Sequence, residues 1–219
     1  MKKLFSLLMG VVTLLTLSVP AFAAETIDSS LQEYQAVVEE VNDTYGVKLT
    51  LYEVPDMSVE DYRARIVDMA IASNAAKEKF LEAERQEAMQ QAHVVDVMPS
   101  NTRATEYVTL GGSTGMYNID LYCTNVRIEN ADNGDRIIAS ALSSNVHSHV
   151  NGWINPVTYI IEEPHAMIYD RGLSLGLSAT GTLIIPGTTP LPGYPSEPSE
   201  IWDDYYVSVN LNTNDTYTP

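Results

Sequence analysis

Two side chains of metal-binding type stand at a telling spacing in this chain, His147-Ser148-His149. On a β-strand residues i and i+2 share a face, so the two imidazoles would stand side by side. Val146, Ser148 and Val150 would then turn toward the interior. Two neutral imidazoles and one further ligand make a zinc site with a position left open. His165 is the candidate third ligand, or a carboxylate such as Glu162 or Glu163. The metal set read from the spacing is therefore His147, His149 and His165, and a pair of solvated histidines fits the same spacing.

The other chemistries are poorer. Asn130-Ala131-Asp132-Asn133-Gly134-Asp135 is rich in calcium-type ligands, but its glycine and downstream glutamate miss the EF-hand register. A hairpin turn accounts for every one of these residues. No G-x-S-x-G is present, and the single cysteine, Cys123, alternates with Ile119 and Leu121 as a buried inert thiol would. Glu162 and Glu163 are adjacent, so on a strand they face opposite ways and make a poor glycosidase pair. Aromatic side chains admit a binding reading instead, because Tyr and Trp stack on sugars or anchor a protein partner. Trp153, Tyr159, Tyr194, Trp202 and Tyr206 are the candidate ligand-binding residues, with Tyr206 on the solvent side of its strand.

The elements that must position these groups follow from pattern. Ser30 and Glu33 form a capping box ahead of Leu31, Tyr34, Val38 and Val41, which predicts a helix ending at Gly46. Val47, Leu49 and Leu51 alternate as a short extended piece. Ser58 and Asp61 open a second helix whose apolar stripe runs Val59, Tyr62, Ile66, Met69, Ser73, Ala76, Phe80, Ala83. That stripe packs on the first helix or the β part, or else forms a coiled-coil seam. Beyond Pro99 lysine is absent, while nine of the 13 tyrosines and both tryptophans appear. Strands are expected over 117–129 and 136–150 about Asn133-Gly134, over 173–185, and through Tyr205, Val207, Val209 and Leu211. Five prolines between Pro186 and Pro198 forbid ladder pairing there, leaving a recognition loop carrying Tyr194 or a stiff connector.

The N-terminus reads MKKLFSLLMGVVTLLTLSVPAFA. Lys2 and Lys3, an apolar core and Ala21-Phe22-Ala23 match a secretory signal peptide cleaved before Ala24. Removing those two lysines takes the formal charge from −17 to −19. Such a field disfavours nucleic acid as a partner and anionic lipid as a surface. No second apolar stretch of spanning length follows, so no membrane insertion is expected after cleavage.

The run Tyr45-Gly46-Val47, Leu49-Thr50-Leu51, Pro55 and Met57-Ser58-Val59-Glu60-Asp61-Tyr62 resembles the N-terminal segment of uncharacterised exported proteins of Gram-positive bacteria, which precedes a β-rich domain. The resemblance implies no activity and no functional residue. The expected organisation is a signal peptide over 1–23, a helical segment over 24–98 and a β-sandwich-like domain over 99–219. The class is α+β: two N-terminal helices followed by an antiparallel β-sandwich. The leading expectation is a secreted, extracellular, non-catalytic binding protein with a protein or glycan ligand at the bacterial surface and no cofactor. The alternatives are a secreted metal-dependent enzyme around His147 and His149 with zinc, and a structural extracellular assembly protein.

Overall fold

The structure is a computed structural model that describes residues 29–91, 105–130, 134–151, 157–187 and 198–218. The expected signal peptide, Trp153, and the proline-rich residues 188–197 with Tyr194 lie outside the described residues.

Two helices precede a pair of antiparallel sheets and pack mainly on one of them. Helix α1 (Ser29–Tyr45) ends where expected: Gly46 takes φ +66° and donates its N–H to the Asn42 carbonyl at 2.9 Å. A left-handed residue is needed there, and glycine takes that conformation without steric cost. Strand β1 (Lys48–Leu51) buries Leu49 and Leu51. Helix α2 (Val59–Gln91) is capped by Ser58, whose Oγ accepts the Asp61 N–H at 3.1 Å.

The α2 stripe is real and faces inward. Tyr62, Ile66, Met69, Ser73 and Phe80 are all buried, against α1 and the sheets. Tyr34 of α1 meets Tyr62 edge-on at 5.4 Å between ring centroids. The stripe from Tyr62 to Phe80 thus packs within the chain, as the first of the two readings of it expects.

The strands are β2 (Thr105–Ser113), β3 (Ile119–Asn130), β4 (Arg136–Ser140), β5 (Val146–Val150), β6 (Thr158–Tyr169), β7 (Ser174–Pro186) and β8 (Pro198–Asn212). One sheet has the order β1-β8-β7-β6, and the other β2-β3-β4 with β5 also on β3. We call them sheet A and sheet B. The expected strand over 136–150 is two: β4 pairs with the C-terminal part of β3 and β5 with its N-terminal part. Between them a short 3-10 turn, Ser143–Asn145, passes an irregular stretch of β3. There Asn125 sits at φ +54°, and this extra residue lets both Cys123 and Val126 point inward.

Sheet A uses the same device. In β8 the pair Asp203-Asp204, with Asp204 at φ +56°, keeps Trp202 and Tyr205 both inside. In β6 Glu162 and Glu163 separate Ile161 from Pro164 across a register shift. One core joins α1, α2, β1 and both sheets. The helical segment is therefore tied into the β part, with β1 on the edge of sheet A.

The helices also close that edge. The Asn42 side chain bonds both the N–H and the C=O of Leu49, each at 2.9 Å. Beyond the end of β1, Ser73 Oγ accepts the Tyr206 N–H at 2.9 Å and donates to the Tyr206 carbonyl at 3.3 Å. Unpaired edge groups invite pairing with other chains, and two short polar side chains on the helices satisfy them here.

Candidate functional site

Sheet B turns one face to the core and one outward. In β3, Ile119, Leu121 and Cys123 are fully buried, so Asp120 and Tyr122 point outward. Their cross-strand partners on β5 are His149 and His147. Both histidines are exposed on one face, while Val146 is buried beside Cys123, as the i, i+2 rule requires. Burial pushes the Cys123 thiol up, consistent with an inert core residue.

A row of rings crosses this face. The His147 ring lies 5.3 Å from that of Tyr122, and Tyr122 stacks on Tyr217 at 5.1 Å with planes 19° apart. Tyr217 comes from the segment after β8, which runs back along the edge of β2. The Tyr217 hydroxyl donates to Asp120 Oδ2 at 2.9 Å, and Asn151 Nδ2 donates to the same oxygen. Burial, followed by that bond and the Asp120 charge, pushes the Tyr217 hydroxyl up to about 12. Next along the face, Tyr107 of β2, at 69% the most exposed large hydrophobic residue described, pairs across the strands with Arg127. Arg127 in turn holds the buried Glu129. Both carboxylates of this face, Asp120 and Glu129, are thereby occupied in place.

The third ligand expected for zinc does not arrive. His165 pairs with Ser178 on the outward side of sheet A, and its neighbour Ala166 bonds Ser143 Oγ. Glu162 and Glu163 also lie on β6, both exposed. Among the described residues no three His, Cys, Asp or Glu side chains gather to hold a metal ion.

The aromatic candidates take structural positions. Tyr159, 6% exposed, sets its hydroxyl 3.0 and 2.9 Å from the carbonyls of Ala179 and Tyr205. Trp202 is 1% exposed: simple alternation back from Tyr205 would put it outward, and the Asp203-Asp204 bulge turns it in. Tyr206 does point outward from its sheet, but α2 lies over it and Phe80 meets its ring at 6.4 Å. The expectation of a solvent-facing Tyr206 is corrected by that helix.

No family model, curated protein or solved structure matches this chain.

The outward side of sheet A is different in kind. A cleft of about 300 Å³ opens there, walled by Asn74, Lys77, Glu163, Asp203, Asp204 and Tyr206 among others. Its charges are partly engaged: Lys48 pairs with Asp204, and Thr182 Oγ1 lies 3.4 Å from Asp203.

Sequence reasoning identified the two sheet B histidines and missed their companions. Asp120 and Tyr122 were findable, because an inward Ile119, Leu121 and Cys123 forces them outward. Tyr217 gave no local signal, since only the return of the chain past β2 brings it there.

Proposed function

We propose that this chain is an exported, non-catalytic binding protein whose recognition face is the outward side of sheet B and whose ligand is a protein. The observation that carries this reading is the make-up of that face. Exposed Tyr107 and half-exposed Arg127 stand beside the Tyr217–Tyr122–His147 row on paired strands. Tyrosine and arginine dominate protein recognition because they bring large contact area and directed hydrogen bonds from few torsions. In a chain of net charge −17, the carboxylates of this face are tied up internally, which lowers the cost of covering it.

A protein ligand is favoured over a glycan for a geometric reason. A sugar ring stacks on an open aromatic face. Tyr122 has Tyr217 stacked on it and the tilted His147 ring close by, which leaves ring edges rather than a flat platform. Export rests on the N-terminal sequence. The acidic charge argues against nucleic acid.

The test immobilises the full mature chain and offers it, separately, secreted proteins and cell-wall glycans from the same cells. A protein retained by wild type and lost from Tyr107→Ala and His149→Ala supports the reading. Retention of glycan alone, or retention indifferent to both substitutions, overturns it. Stoichiometric zinc that disappears in His149→Ala would replace it with a metal site.

A further inference from the structure

The edge of β2 carries an occupant that describes its own binding site. Residues Asp215–Tyr217 lie antiparallel along it: Gly111 N–H donates to the Asp215 carbonyl at 3.1 Å, Tyr217 N–H donates to the Thr109 carbonyl at 2.9 Å, and Thr216 bridges Leu110. The Tyr217 ring rests over Gly111. A Cβ at that glycine would come within 2.8 Å of the Tyr217 ring and 2.5 Å of Tyr122 Cβ, so only glycine leaves the seat open. Tyr122 forms one wall by stacking, and Asp120 Oδ2 takes the hydroxyl at the far end. The seat therefore has a main-chain donor and acceptor for an extended backbone. It also has a floor, a wall and an acceptor for one tyrosine side chain.

We propose that this seat is a strand-addition site for an extended, tyrosine-bearing segment of the partner protein, and that Asp215–Tyr217 is the internal occupant the partner displaces. The proposal rests on reading the outward side of sheet B as the recognition face. Strand addition draws affinity from main-chain bonds and specificity from side-chain pockets, which are the two elements present. Among the described residues the internal occupant covers β2 around Thr109–Gly111. The remainder of the edge, Thr105–Val108 with exposed Tyr107, has no strand partner among the described residues. A partner segment that seats its tyrosine over Gly111 and continues past Tyr107 makes main-chain bonds that the internal occupant does not make. That difference lets a longer segment win against a tethered one, whose effective concentration is of order millimolar.

The experiment uses the full chain, wild type and Tyr217→Ala, with a fluorescent peptide of residues 212–218 (NLNTNDTYT without its first two residues) as probe. Tyr217→Ala is expected to bind the peptide at least tenfold more tightly than wild type. The gain is expected to vanish when the peptide tyrosine is alanine, or when Tyr122→Ala is added to the chain. Equal affinity of wild type and Tyr217→Ala, or no binding to either, overturns the proposal. A second measurement needs no variant. The amide hydrogens of Gly111 and Tyr217 should exchange with solvent at least a hundredfold faster than those of Leu177 and Val207, and exchange at core rates overturns it. If the peptide fails while a secreted partner is still lost with Tyr107→Ala, the strand-addition site falls and the recognition face stands. Loss of both results removes the face itself.

Discussion

The two sheets treat their outward sides in opposite ways. Sheet A is roofed along β8 by α2, through Ser73 and Phe80, and what it leaves open is acidic, while the Arg65–Glu200 pair ties the same helix to the inner side of β8. Among the described residues no helix lies over the outward side of sheet B, which shows rings, imidazoles and a guanidinium whose neighbouring carboxylates are satisfied. The lesson is one of division: side chains that hold the chain together lie under the helices, and side chains free to meet another molecule lie on the uncovered sheet. Substitutions on sheet A should cost stability, and those on sheet B should cost binding.

The sharpest way to break this contrast is Arg65→Ala. Glu200 is 3% exposed, with Arg65 on one oxygen and Trp202 Nε1 3.4 Å from the other. Removing the guanidinium strands a buried charge, which costs about 3–5 kcal/mol, and the low end is expected because Arg65 itself reaches solvent. Urea denaturation reads it, and a loss under 1 kcal/mol would mean that α2 is not clamped to β8 through this pair. Ser73→Ala is next: it orphans the edge groups of Tyr206 and should cost roughly 1–3 kcal/mol in the same assay.

On sheet B the expected effects are smaller and differ in kind. Tyr217→Phe removes one hydroxyl bond, worth about 1 kcal/mol. The native fold raises the Tyr217 hydroxyl from its ordinary value near 10 to about 12, so it favours the protonated form. That contribution is complete below about pH 10 and is lost as pH climbs toward 12. The stability gap between wild type and Tyr217→Phe should therefore hold constant from pH 7 to 10 and close above it. Tyr107→Ala and His149→Ala should move stability by less than about 0.5 kcal/mol, since both side chains are exposed, while abolishing partner retention. Large stability losses at these two positions would erase the distinction between the sheets.

Much of the fold was legible residue by residue. Ser58 with Asp61 marked the start of α2, Gly46 the end of α1, and the α2 stripe its buried face, because capping and helical periodicity are local. Leu175, Leu177, Ala179 and Leu183 were legible as the inward side of β7 for the same reason. The break between β4 and β5 was not, because the bulge at Asn125 that separates them lies on a different strand. Nor was the inward turn of Trp202, where a second bulge reverses a count of two. The site was half legible: His147 and His149 share a face as their spacing requires, but His165 went to the other sheet.

The amino-acid sequence alone determined the α+β class, the two helices with the Ser58 cap of α2 and the Gly46 end of α1, the alternation of the long strands and the acidic charge, since each is set by residues a few positions apart. Only the tertiary structure decided which outward faces remain open. Tyr206 disappears beneath Phe80, while Tyr122 acquires Tyr217 from the far end of the chain. Coverage depends on which distant element comes to rest on a surface, and that is settled by the packing of the whole chain.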